Sequence, residues 1–177
     1  MNTKILDTDE NSIKEAGKII AGGGLVAFPT ETVYGLGADA FDSDAAAKIY
    51  EAKGRPSDNP LIVHISDKGQ IDELSAGYSE KARKLIDAFM PGPFTIILKK
   101  SERVPDGVTA CMDTVGIRFP ENEIARRFIA ASGVPVAAPS ANISGKPSPT
   151  TARDVMDDMM GRIDAIIDGG SCSVGVE

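Results

Sequence analysis

The chain has 177 residues, 42% hydrophobic, 25% charged and 5% aromatic, which fits one globular domain with its own core and excludes a disordered segment. A net charge of −7 opposes broad attraction to nucleic acid or acidic membranes, so any RNA contact has to be a local basic patch. With a polar, acidic start and no apolar run approaching the roughly 18 residues of a membrane span, a soluble cytoplasmic protein is expected. Cys111, Cys172 and the single histidine, His64, support neither a disulfide framework nor a zinc site.

In chain order, Asn11 or Ser12 is expected to cap a first helix with Ile13, Ala16, Ile19 and Ile20 on its apolar face, stopped by Gly22-Gly23-Gly24. Leu25 to Phe28 reads as a short buried strand that Pro29 ends, and Thr30 to Gly37 reads as a polar, glycine-bearing strand-end loop. Asp42-Ser43-Asp44 opens a second helix, which ends near Lys53-Gly54-Arg55-Pro56. Leu61 to Ile65 is predicted as a strand with both faces mostly buried, Ser79 to Met90 as an amphipathic helix, and Phe94 to Leu98 as the next strand. In Val115 to Phe119 the alternation sets Val115, Ile117 and Phe119 on one face and Gly116 and Arg118 on the other. Asn122 to Ser132 is predicted helical, Val134 to Ala138 a strand of small residues, and Thr150 or Thr151 the cap of a further helix. Ile163 to Ile167 is the last strand. This intermixing predicts a mixed α/β sheet, in one domain without repeats or linkers.

Besides the loop after Phe28, three segments carry candidate chemistry, each with a bland alternative. Lys53 and Arg55 flank a glycine in a proline-rich stretch and suit an anion such as phosphate or carboxylate, where a solvated surface loop is the competing reading. Pro139-Ser140-Ala141-Asn142 follows a strand whose Ala137 and Ala138 leave room for a ligand near the backbone. A serine nucleophile there is disfavoured, since no Gly-x-Ser-x-Gly elbow is present and the one histidine lies in another strand. His64 shares a face with Ile62 and reads equally well as a core histidine or a ligand. Arg118, on an otherwise apolar strand, has to reach an edge or meet an anion, because an unpaired buried charge costs several kcal/mol. A substrate carboxylate would satisfy it. There is no P-loop and no complete dinucleotide fingerprint, so the residues point to positioning catalysis on phosphates without a covalent nucleophile or protein-held metal.

The ordered set Pro29-Thr30-Glu31-Thr32-Val33-Tyr34-Gly35-Leu36-Gly37, Lys53-Gly54-Arg55-Pro56, Asn59-Pro60-Leu61-Ile62-Val63-His64, Pro91-Gly92-Pro93-Phe94-Thr95, Gly116-Ile117-Arg118-Phe119-Pro120 and Ala138-Pro139-Ser140-Ala141-Asn142 resembles the YrdC-like threonylcarbamoyl-AMP synthases over most of the chain. The resemblance implies a twisted mixed parallel and antiparallel sheet flanked by helices, with a large concave cleft. It implies a nucleotidyltransferase joining threonine, bicarbonate or CO₂, and ATP into threonylcarbamoyl-adenylate and pyrophosphate, for tRNA modification by downstream threonylcarbamoyl-transferase proteins.

By the same resemblance, Thr32, His64, Arg118 and the backbone near Ala138 bind threonine, with Arg118 on its carboxylate. Lys53, Arg55, Asn59, Ser140, Asn142 and Ser148 hold ATP, and Lys53, Arg55, Ser140 and Asn142 carry the catalysis. Mg²⁺ is expected to ride on the nucleotide, with no metal held by the protein itself. Longer members continue past the position of Glu177, so residues 1–177 are expected to form a single domain truncated at the C-terminus. The alternative is an RNA-binding module, for tRNA, double-stranded RNA or ribosome maturation, that uses the concave face without catalysis.

Overall fold

The computed structural model describes residues 2–176. In chain order the elements are β1 (Lys4–Leu6), α1 (Glu10–Ala21), β2 (Val26–Phe28), β3 (Gly35–Asp39), α2 (Ser43–Lys53), β4 (Ile62–His64), α3 (Gln70–Leu74) and α4 (Glu80–Phe89). They continue with β5 (Thr95–Lys99), α5 (Asp106–Thr109), β6 (Thr114–Arg118), α6 (Glu123–Ser132), β7 (Val136–Ala138), α7 (Ala152–Met159) and β8 (Ala165–Ile167). The strands form one sheet in the order β1-β8-β2-β3-β7-β4-β6-β5. Pairing is parallel for β1 with β8, β2 with β8 and β4 with β6, and antiparallel at the other junctions. This is the mixed sheet that the sequence pattern predicts.

Most helix ends follow their sequence signals. Asp42 caps α2, Ser79 caps α4 and Asn122 caps α6, each side chain accepting from backbone N–H groups of the first turn. Thr151 and Asp154 make a reciprocal capping box at α7. Helix α1 differs from expectation. Its cap is Asp9, whose Oδ1 accepts from Asn11 N at 2.9 Å and Ser12 N at 3.2 Å, because an ionised carboxylate is favoured at the positive end of a helix.

The alternation along three strands builds two separate cores. Val26, Phe28, Val136, Ala138, Ala165 and Ile167 point to one side and pack with Ile13 and Ile20 of α1 and Phe128 and Ile129 of α6. The intervening Ala27, Ala137 and Ile166 point to the other side, into the larger core completed by α2, α4 and α7. Ala137 is therefore core, while Ala138 faces the side of the candidate site.

The segment expected to be a loop up to Gly37 contains the first three residues of β3, which pairs with both β2 and β7. Its glycines are strand residues that make room. A Cβ on Gly37 would stand 2.7 Å from Val136 Cγ1, and one on Gly35 would stand 3.1 Å from the Phe28 ring.

Register carries the α1 and α6 side of the sheet outward. Ile62 lies opposite Ala138 and Gly116, and His64 lies opposite Val136 and Arg118. Over β4, β6 and β5 this face is left half open: Ile62 is 36% exposed and Ile97 70%. Leu61 to Ile65 is mostly buried on both faces, as expected, with Ile62 the exception. The open stretch is the concave face on which the site is built. Among the described residues, no helix is long and apolar enough to cross a membrane.

Helices α1 and α6 meet at Gly17, where a Cβ would lie 2.4 Å from the Ala131 carbonyl oxygen. Gly17→Ala is expected to force the helices apart and to cost about 1–3 kcal/mol, the usual range for overpacking. Urea unfolding checks this, against a gain if helix propensity alone governed the position.

Candidate active site

Residues Thr30 to Tyr34 connect β2 to β3 in a tight, buried turn. Thr30 Oγ1 donates to the Val33 carbonyl at 2.6 Å and accepts from Thr32 N and Val33 N, both at 3.2 Å, so the loop closes on its own hydroxyl. Residues 139–141 run antiparallel beside it, with Leu36 N donating to Pro139 O and Ala141 N to Tyr34 O, both at 2.8 Å. The two strand-end segments singled out from the sequence are thereby neighbours. Tyr34 Oη donates to Gly170 O at 2.8 Å and accepts from Gly169 N at 3.1 Å, and burial pushes its pKa upward. It is a fully buried post, not an acid.

Arg118 reaches the same loop from β6. Its anion is internal: Nη2 donates to Glu31 Oε1 at 2.5 Å and to Thr32 Oγ1 at 3.1 Å. Glu31 was not among the expected site residues, and only 5% of it is exposed. Burial pushes its pKa up, but the hydrogen bond and charge of Arg118, with backbone donors, outweigh this and hold it below the ordinary carboxylate range. Arg118 is still not saturated, since its buried Nε has no hydrogen-bond partner.

His64 is 4% exposed and stands edge-on to Phe28, with ring centroids 5.8 Å apart. Nδ1 lies 3.1 Å from the Ile62 carbonyl. Burial, reinforced by the Arg118 charge, pushes its pKa down to about 3. The imidazole is neutral at physiological pH and available only as a polar neutral group.

This has a consequence for acid stability. An unfolded histidine takes up a proton below its ordinary 6.5 while the folded one does not, so this contribution is complete above 6.5 and lost as pH falls. Glu31 acts in the same direction but only from its ordinary 4.5 downward. Between pH 6.5 and 4.5, His64 should therefore contribute a stability loss of up to about 1.4 kcal/mol per pH unit, and His64→Gln should flatten that slope in urea titrations.

Lys53 is the last residue of α2, and Gly54, at φ 60°, turns the chain away after it. The lysine is 2% exposed. Its Nζ donates to the carbonyls of Ser140 at 2.5 Å and Asn142 at 2.6 Å, while its own carbonyl accepts from Ser144 N at 3.0 Å. The expected phosphate cation thus ties down the Ser140 to Ser144 loop. Asn142 Nδ2 donates to Ile143 O and Lys146 O, both at 2.9 Å, which fixes the amide orientation and leaves its buried Oδ1 without a partner. Asp158 closes the loop from α7, accepting from Ile143 N at 3.0 Å and pairing with Lys146 at 2.6 Å.

Two hollows meet at Ser140. The smaller, with an empty volume of ≈ 350 Å³, includes Thr30, His64, Arg118 and Ala138 in its lining. The larger, ≈ 730 Å³, includes Lys53, Arg55, Asn59, Asn142 and Ser148. The expected site residues therefore sort into two adjoining compartments with Ser140 in both. Thr32 is the exception. It stands behind the smaller wall and touches the site through Arg118, while Thr30 lines it. Another hollow of ≈ 680 Å³, between Leu25, Lys48, Glu51 and Arg162, is lined by none of these residues. Within reach of sequence reasoning, Glu31 had one signal: a carboxylate in a buried loop in a chain whose Arg118 lacked an anion.

A threonylcarbamoyl-AMP synthase of Pyrococcus abyssi is 54% identical over 169 residues, covering 96% of this chain and 50% of that protein. One of Bacillus subtilis is 52% identical, covering 99% of this chain and 51% of that protein. The chain spans about half the length of these curated relatives. The crystal structure of P. abyssi Sua5 complexed with L-threonine superimposes with a TM-score of 0.97 at 52% identity, covering 99% of this chain and 53% of that one. The Sua5/YciO/YrdC family model, described as "Telomere recombination", matches residues 18–177, and the chain belongs to that family.

Proposed function

We propose that this domain makes threonylcarbamoyl-adenylate from L-threonine, CO₂ derived from bicarbonate, and ATP. The observation that carries the reading is the pair of unmet polar atoms in adjoining compartments. Arg118, in the smaller, has a buried donor without a partner, and Asn142, in the larger, has a buried acceptor without one. Among the described residues Ser75 Oγ and Arg126 Nε are also buried without partners, but only Arg118 and Asn142 line these compartments, where a ligand atom would satisfy them. A cationic donor suits the threonine carboxylate, and an amide oxygen suits a hydroxyl or amine of the nucleoside, since phosphate oxygens donate nothing.

The relatives named threonylcarbamoyl-AMP synthase, and the threonine complex of P. abyssi Sua5, support the same assignment. With threonine near Arg118, His64 and Ala138, its amine faces the Ser140 junction. The neutral amine adds to CO₂, releasing one proton and forming a carbamate. A carbamate oxygen attacks the α-phosphorus, and the bond to the departing pyrophosphate breaks. Arg55 and Lys53 offset the charge on the phosphates, and the fixed loop from Ser140 to Asn142 holds the two reactants in line. Mg²⁺ enters with ATP as part of the substrate. The described lining of the larger compartment has one carboxylate, Asp58, and the described residues hold no group of three or more His, Cys, Asp or Glu suited to a metal. The adenylate would pass to a threonylcarbamoyl transferase acting on tRNA.

Purified protein given threonine, bicarbonate, MgATP and a pyrophosphate-coupled assay tests this. Pyrophosphate release that rises with threonine is the expected result. Release no greater than in a no-threonine control overturns it, and steeply salt-dependent RNA binding in its place would favour a binding module.

A further inference from the structure

Glu31 is a buried carboxylate in the β2 to β3 turn whose two oxygens face different elements. Oε1 takes Arg118 Nη2 at 2.5 Å. Oε2 accepts from Glu121 N at 3.2 Å and Asn122 N at 3.4 Å, at the start of α6. Its backbone carbonyl accepts from Val174 N at 2.8 Å. Held at three points, Glu31 is the fixed member of the ion pair and Arg118 is placed against it.

Thr32 Oγ1 accepts from the same Arg118 nitrogen at 3.1 Å. A guanidinium is planar, so holding one nitrogen with two acceptors sets the direction of its other donors. Among the remaining donors, Nε is buried and unpartnered on a residue that lines the smaller compartment.

We infer that Glu31 is a positioning residue: it orients Arg118 so that the guanidinium N–H groups not held by Glu31 and Thr32 are presented to the carboxylate of the amino-acid substrate. The inference rests on the reading of the smaller compartment as the threonine site. A carboxylate is required because both oxygens accept. A glutamine has a single acceptor oxygen, and its NH₂ would confront either Arg118 or the α6 amides.

The test titrates wild type and Glu31→Gln with L-threonine, with L-threoninol, which lacks the carboxylate, and with ATP. For Glu31→Gln, threonine should bind about 10- to 100-fold more weakly, the range carried by one charge-assisted hydrogen bond. Threoninol and ATP affinities should stay unchanged. A loss shared equally by all three ligands, or unchanged or tighter threonine binding, overturns the role of Glu31. Wild type that binds threonine no better than threoninol overturns the reading of the compartment itself, and the inference with it. Thr32→Val keeps the ion pair and removes only the second acceptor. It should show the same selective loss, to a smaller degree, in a variant whose folding does not depend on the buried charge.

Discussion

Arg118→Ala is expected to bring threonine-dependent pyrophosphate release down to the no-threonine background and to lower stability at the same time. The side chains of Arg118 and Glu31 are 12% and 7% exposed, so removing the cation strands a carboxylate that retains only backbone donors. Breaking a buried pair from one side costs about 3–5 kcal/mol. That is a large share of the roughly 5–15 kcal/mol that holds an ordinary domain together, so the variant has to be assayed well below its unfolding temperature. Arg118→Lys separates the two effects. It keeps a charge beside Glu31 but loses the planar fork, and so should recover most of the stability and little of the threonine affinity. Thermal unfolding and calorimetric titration measure the two quantities independently. Retained threonine-dependent turnover in a folded Arg118→Ala protein would remove Arg118 from the substrate site.

Lys53→Met carries the second large effect, on the other compartment. Methionine follows the lysine stem but offers nothing to the Ser140 and Asn142 carbonyls, which accept from Nζ at 2.5 Å and 2.6 Å. Each unpaired buried carbonyl costs about 1–3 kcal/mol. The loop that carries Ser140 and Asn142 should shift, and with it every contact to the nucleotide. A displacement near 1 Å costs on the order of 100-fold in a positioned reaction, and the Lys53 charge is lost as well. Nucleotide titration should show a loss of about 10- to 100-fold in ATP affinity, the range of one charge-assisted hydrogen bond, with threonine affinity largely kept because Arg118 and Glu31 are untouched. A destabilised protein with normal ATP affinity would reduce Lys53 to a structural tether.

Both cases show how far the chain alone could be read. The amphipathic helices, their starts at Asp42, Ser79 and Asn122, and the stop at Gly54 were visible, because each depends on residues within a turn of one another. β1 and β3 were not. β1 is a short edge strand with two exposed residues and no alternation, and β3 is a glycine-bearing run that resembles a loop. Its strand geometry is imposed by β2 and β7 on either side, and its glycines by the Phe28 ring.

The residue types of the site were legible in the same limited way. That Arg118 had to reach an edge or meet an anion followed from one charge on an apolar strand. Which anion met it did not, since Glu31 is 87 positions away and is brought there by the order of the sheet. Likewise, two cations in the Lys53 to Arg55 segment implied an anion, yet Lys53 is aimed at backbone carbonyls 87 and 89 positions downstream. Sequence determined the fold class, most helices and the chemical vocabulary of the cleft, since composition, periodicity and capping are local. Only the tertiary structure decided which buried charge faces which, because β4 and β6 lie parallel, β3 lies between β2 and β7, and such pairings follow from a sheet order that does not follow the chain.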